Sequence, residues 1–283
     1  LFFALDAENL LVADNLAKYY SININYGELN WSKNNMYPFN SEIKITENML
    51  FAVDYKNTLR SFSVSDGSEL WNFQTENSFA ISDTINSLIV IDNLVIFSNS
   101  IGDITAVDIE NGLITWQLPT QSTNIINESY KFRNSKLVSD KKSIIFSNNK
   151  DEFYSIDIKT GVANWINEVN SSVTPILIGN LIFTVSNEGY LFVIEKNNGN
   201  IIRITDLYKN YKEKKRADIK PIGFVIGNRN LYLTNSDGQM LVIDLVTGKS
   251  IYNIKVAKSF VSEPFISNEN LFVIRKGSII QYN

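Results

Sequence analysis

Apolar residues come in short bursts along this chain, cut apart by Gly, Asn and Asp. The stretch "TPILIGNLIFTVSNEGYLFVIEKNNGNIIRIT" (174–205) shows the pattern, with "PILI", "NLIFTV", "YLFVIE" and "NIIRIT" separated by "GN", "SNEG" and "NNG". Bursts rich in Ile, Val, Leu, Phe and Tyr predict four short strands. Gly and Asn between them supply the positive φ that tight hairpins need. Several strands are apolar at consecutive positions, as expected of a sheet covered on both faces. No stretch sustains the helical period.

The same unit recurs through the chain. One marker is an Asn, or Lys142 once, that opens an apolar run: Asn9, Asn48, Asn93, Lys142, Asn180, Asn230 and Asn270. A second marker is a glycine: Gly27, Gly67, Gly112, Gly161, Gly199 and Gly248. From marker to glycine the distance is 18 residues in the first and last of these units and 19 in the other four. From glycine to the next marker it varies from 19 to 31. Half of the unit is rigid and half tolerates insertion, the signature of a repeat architecture.

All four tryptophans, Trp31, Trp71, Trp116 and Trp165, sit four residues after one of these glycines, and Arg203 and Tyr252 hold the place in the later units. Four-stranded antiparallel units of this length fit the blades of an all-β propeller, which stacks its sheets to protect their edges. Six full units and one partial unit are visible, and the ring is expected to hold seven or eight blades when complete. The glycine permits the turn between the third and fourth strands. The Trp then returns to the same face of the fourth strand each time, and its expected role is packing against the adjacent blade. Truncating such a Trp should cost about 3–5 kcal/mol if it is fully buried.

The long connections, 72–92, 117–141 and 206–229, all fall between one unit's fourth strand and the next unit's first. Insertions grouped on one side of a repeat fold mark a binding surface. The last connection holds Lys209, Lys212, Lys214, Lys215 and Arg216 against Glu213. It reads as a solvated loop or as a docking patch for an acidic partner or a membrane surface.

Composition narrows the chemistry. With 283 residues, 44% of them hydrophobic, the chain can bury a large core. The net charge of −4 argues against nucleic acid. No run approaches the ~18 apolar residues of a membrane-spanning helix. The chain has no cysteine and no histidine, which removes disulfides, imidazole acid–base chemistry and His-ligated zinc. It opens on Leu1 with strand-like residues, which reads as an excised piece whose signal peptide or lipid anchor lay upstream.

"AVDIENGLITW" (106–116) matches in full the A-x-D-x-x-x-G-x-x-x-W tryptophan-docking repeat of the pyrroloquinoline-quinone (PQQ) propellers, and "SIDIKTGVANW" (155–165) departs only at its first position. Within that superfamily the chain resembles the BamB family, lipoproteins of the machinery that assembles outer-membrane β-barrel proteins. "NSDGQMLVIDLVTGKSIYNIKV" (235–256) and "SEPFISNENLFVIRKGSIIQYN" (262–283) are similar to the last two blades of that family. The resemblance implies a single propeller domain over residues 1–283. The outer strand of its last blade, and one whole blade, would precede Leu1. It further implies a monomeric, non-catalytic periplasmic scaffold at the outer membrane, with no cofactor and no metal. Its partners would be the central barrel-assembly subunit and unfolded barrel clients. Contacts in the family lie in the loop entering the third visible unit, which carries Phe79, Ile81, Ser82 and Asp83 onto the expected partner site. Ser82 stands near where the family has an arginine.

Two other functions fit the repeat. A quinoprotein dehydrogenase would hold its quinone between a Trp and a vicinal disulfide above a Ca²⁺ and an Asp base. The missing cysteines exclude that disulfide. "VSDG" and "NSDG" read as hairpin turns, and adjacent Asp151 and Glu152 would face opposite ways in a strand. The third reading is a propeller binding module of a larger extracellular or sensor protein.

Overall fold

The computed structural model describes residues 1–76, 85–120, 133–258 and 261–282. Among them are seven antiparallel sheets, six of four strands and the last of three, each built from strands consecutive in the chain. The fourth strands of the first six sheets are Leu29–Asn34, Glu69–Gln74, Ile114–Leu118, Ala163–Asn167, Ile201–Asp206 and Ser250–Lys255. Sheet boundaries follow the predicted units. Among the described residues the one helix is α1 (Glu213–Asp218), set in the connection between sheets five and six.

Turn chemistry differs between the two hairpins of a unit. In the first hairpin of sheets two to seven, the residue just before the marker takes a left-handed conformation, and it is seldom glycine. Glu47 (φ 51°), Asp92 (φ 50°), Lys141 (φ 71°), Arg229 (φ 62°) and Glu269 (φ 64°) do what Gly179 (φ 59°) does in sheet five. Each such side chain costs about 1 kcal/mol, and the strand pairing on either side outweighs it. In the second hairpin the glycine is kept. Gly112 and Gly161 both have φ 70°, and their amides donate to the carbonyls of Asp108 and Asp157.

A bulge follows that hairpin in all six four-stranded sheets. In sheet four, Ser155 opposes Trp165 while Ile156 opposes Ala163, so Asn164 is the extra residue. The same slip falls one residue before Trp31, Trp71, Trp116, Arg203 and Tyr252. The bulge increases local twist and re-aims the next side chain.

The described residues form two compact units, 1–137 with 157–162, and 138–156 with 163–283. In the first unit, Leu11, Tyr19, Leu50 and Phe62 bury one cluster, and Phe51, Leu59, Phe97 and Val107 another. In the second, Phe183, Leu191, Leu231 and Leu241 pack around the fully buried Tyr208. Each cluster draws on two successive sheets, so the covered faces lie between neighbours. This is why the second and third strands read as continuous apolar runs.

Candidate functional site

The repeated motif makes one contact five times. Trp31 Nε1 donates to the Val64 carbonyl (2.8 Å), Trp71 to Ile109 (3.1 Å), Trp116 to Ile158 (2.7 Å) and Trp165 to Lys196 (2.8 Å). Each acceptor lies three residues before the glycine of the following sheet. The indole then covers that glycine. A Cβ at Gly67, Gly112, Gly161 or Gly199 would stand 2.6, 2.5, 2.6 or 2.7 Å from the nearest atom of the preceding sheet's Trp. The glycine therefore serves both its own left-handed turn and the seat of its neighbour's ring. Arg203 does the same work without a ring, its Nη2 and Nη1 donating to the carbonyls of Leu245 (2.6 Å) and Val246 (2.7 Å).

Burial is uneven along this series. Trp116 is buried, whereas Trp31, Trp71 and Trp165 are half-buried. The full truncation cost therefore applies to Trp116, and the other three stand below it. Gly27 has nothing within 4 Å of an added Cβ, and Gly248 faces Thr205 rather than a ring. Tyr252 is 65% exposed.

The carboxylates near the motif are occupied in turns. Asp157 accepts from the amides of Lys159 (3.0 Å) and Thr160 (2.9 Å), and Asp244 from that of Thr247 (2.6 Å). These bonds, the threonine amide foremost, hold both acids below the ordinary carboxylate range. Asp66 accepts from Ser68, and Asp237 from the Gln239 amide, as hairpin turns require. Asp151 lies in a turn at φ 64° rather than in a strand, and Glu152 accepts from Asn148 Nδ2 (2.7 Å). Buried Asp54 holds Arg60 (2.9 Å), which also reaches Glu69 (2.7 Å). Among the described residues, no three Asp or Glu side chains form a group able to hold a metal ion.

Phe79, Ile81, Ser82 and Asp83 lie outside the described residues. The frame from which their connection springs is a buried polar network. Asn57 Nδ2 donates to Ser100 Oγ (2.8 Å) and to the Glu76 carbonyl (3.0 Å), and the Ser100 amide donates back to Asn57 Oδ1 (3.0 Å). Asn99 Nδ2 reaches Thr75 Oγ1 (3.3 Å), and Thr120 Oγ1 donates to the Gly102 carbonyl (2.9 Å). Asp103 completes the network by accepting from the Thr120 amide (3.3 Å). Burial pushes its carboxyl above the ordinary value, with help from Glu76 and against the Thr120 bond. Such a network fixes the roots of two long connections with its polar groups paired.

The basic run is more ordered than a solvated loop. Arg216 binds Asp206 (2.8 Å) and lies over the Tyr190 ring (4.9 Å), and Lys215 reaches Asp237 (3.3 Å) and covers Tyr211 (4.7 Å). Beneath it, Tyr208 donates to Asn235 Oδ1 (2.5 Å), and a Cβ on Gly189 would meet its ring at 2.0 Å. Lys209, Lys212 and Lys214 remain exposed.

A model of the family described as outer membrane protein assembly factor BamB matches residues 2–205. No curated protein matches the chain in sequence. Among solved structures, the chain is similar to BamB from Moraxella catarrhalis (TM-score 0.77, 13% identity, covering 97% of this chain and 81% of that one). It is also similar to quinohemoprotein alcohol dehydrogenase from Comamonas testosteroni (TM-score 0.69, 12% identity, 96% of this chain and 63% of that one). A third likeness is to the computationally designed Ika8 protein (TM-score 0.60, 12% identity, 99% and 94%). At such identities the likeness is one of fold, and the fold is that of a β-propeller.

Proposed function

The chain belongs to the family of outer membrane protein assembly factor BamB, and from that premise we propose that it is a non-catalytic scaffold of outer-membrane β-barrel assembly. It acts in the periplasm at the outer membrane and binds the central assembly subunit through the connections that leave the fourth strands. The observation that carries this reading is the family match across residues 2–205. The chemistry supports it. The carboxylates of the repeat are taken up in turns and ion pairs, and the most constrained side chains, the indoles and Arg203, are spent on joining sheets.

The fold likeness to a quinohemoprotein dehydrogenase raises an enzymatic reading, which the residues do not fit. No cysteine exists to form a vicinal disulfide, and the described carboxylates do not converge on a metal. Incubation with PQQ and Ca²⁺ is expected to give no alcohol-dependent dye reduction.

Capture of the central assembly subunit by the tagged chain in solubilised envelopes tests the scaffold. Stoichiometric capture is expected, weakened about tenfold by a joint Phe79→Glu and Ile81→Glu change. Absence of capture by the intact chain contradicts the scaffold. Capture unaffected by the double change moves the contact away from residues 79–83.

A further inference from the structure

Five of the six junctions between successive sheets are closed by the crossing of Trp31, Trp71, Trp116, Trp165 or Arg203. The sixth is not. Tyr252 holds the docking position of sheet six, yet it is 65% exposed and makes no hydrogen bond to sheet seven. Sheets six and seven meet instead along their first strands, Pro221–Gly227 and Phe265–Ser267. Gly223 and Gly227 both have ordinary φ values, so the backbone does not call for glycine at either position. The approach of sheet seven does. A Cβ on Gly223 would strike Glu263, and one on Gly227 would strike the Ile266 side chain.

Beside this close contact lies a cavity of about 620 Å³, within the size range of small-ligand sites. Tyr232, Ile266, Leu271 and Tyr282 line it with aromatic and aliphatic surface. Leu271 is buried in the cluster between the two sheets, and Tyr232 and Tyr282 pack against that cluster. These walls are therefore held by the core. Glu269 carries the one charge among the lining residues. It is exposed, and it takes a left-handed φ of 64° at the hairpin position that Gly179 fills in sheet five. Among the described residues, neither the Glu269 carboxylate nor the hydroxyls of Tyr232 and Tyr282 have a hydrogen bond or an ion pair. Apolar walls and one unneutralised carboxylate suit a cation that carries an apolar body.

We propose that the cavity between sheets six and seven binds a small organic ammonium ion with an apolar body. The ammonium would donate to the Glu269 carboxylate, and the body would lie against Tyr232, Ile266 and Leu271. A hydrogen bond between two ionised groups is stronger than one between neutral groups, and a tyrosine face attracts a cation in addition. Sheet two provides the contrast. Glu47 has the same hairpin place and a similar φ of 51°, but both junctions of that sheet are closed by tryptophan. This site lies apart from residues 79–83 and stands or falls independently of the assembly role.

The test titrates the full chain with 4-phenylbutylamine and follows its amide chemical shifts. Saturable shifts are expected in residues 227–232 and 266–271, with none around Glu47. The neutral analogue 4-phenylbutanol should bind about tenfold more weakly, and Glu269→Gln should weaken the amine by a similar factor. Tyr232→Leu, which keeps an apolar wall and removes the ring, should weaken it about threefold. Glu47→Gln should leave binding unchanged. Thermal melts matching the parent confirm that each variant is folded. Where Tyr232→Leu melts early, the exposed Glu269 decides alone. Absence of saturable shifts, shifts confined to other sheets, or equal binding of 4-phenylbutanol or 4-phenylbutyrate overturns the proposal. So does undiminished binding by Glu269→Gln, or an equal loss in Glu47→Gln.

Discussion

Asp103 and Asp140 show how single carboxylates in this fold respond to their surroundings. Asp103 is buried without a cation, and burial raises its pKa. The folded state therefore holds the proton more tightly than the unfolded one, and stability falls as pH rises through the raised value. Asp103→Asn keeps an acceptor for the Thr120 amide, and is expected to raise the urea midpoint at pH 7 and leave it unchanged at pH 3. Asp140 is the opposite case. Burial alone would raise its pKa, but the Lys196 pair at 2.7 Å and the amides of Ser143 and Lys142 outweigh it. Its contribution is present above the unfolded value of about 4 and is lost as pH falls through the depressed folded value. Lys196→Met should move the Asp140 titration upward, as read by carboxyl chemical shifts. Neither effect was legible in the sequence, because both depend on which neighbour a turn brings close. What was legible was the D-x-x-x-G spacing, since turn capping is local.

Elements were legible wherever local chemistry decides them. Strand bursts, hairpin glycines and the rigid half of the unit all follow from propensity and turn geometry. The first hairpins were harder to read, because Glu47, Asp92 and Lys141 take left-handed φ values that their side chains disfavour. The anchoring of the basic connection was not legible, because its partners are distant in sequence. Tyr208 is anchored by Asn235, and the space for its ring is left by Gly189 in the hairpin turn before Tyr190–Glu195. Gly189→Ala is expected to cost more than about 2 kcal/mol, since φ 86° and the ring contact both oppose a Cβ. Tyr208→Phe should cost about 1–2 kcal/mol through the buried acceptor left behind on Asn235. Urea unfolding followed by tryptophan fluorescence checks both. Amide exchange in 207–220 should quicken more than in sheet two, where a general loss of stability would quicken both alike.

At the scale of the molecule, successive sheets are joined by one device used five times: a fourth-strand side chain crossing to a carbonyl of the following hairpin, and in the four Trp cases covering its glycine as well. The sequence showed the Gly-to-Trp spacing within a unit. It did not show that each indole sits on the glycine of the unit that follows, because that distance varies with the inserted connections. The signal was available only in part. Arg203 breaks the Trp rule yet keeps the contact, so residue type alone conceals it. The device supports the scaffold reading that the family match carries, because it commits the chain's most distinctive side chains to holding sheets together.

The cost of Gly161→Ala, measured by urea unfolding with and without Trp116→Ala, tests the device most directly. With the indole present, a Cβ at 2.6 Å from the ring adds a clash to the left-handed strain, so the substitution should cost roughly 3 kcal/mol. With the indole removed, only the strain remains, and the cost should fall to about 1 kcal/mol, as for Gly27→Ala, which meets nothing within 4 Å. An equal cost in both backgrounds would mean that the ring does not occupy that glycine, and the account of how these sheets are joined would be wrong.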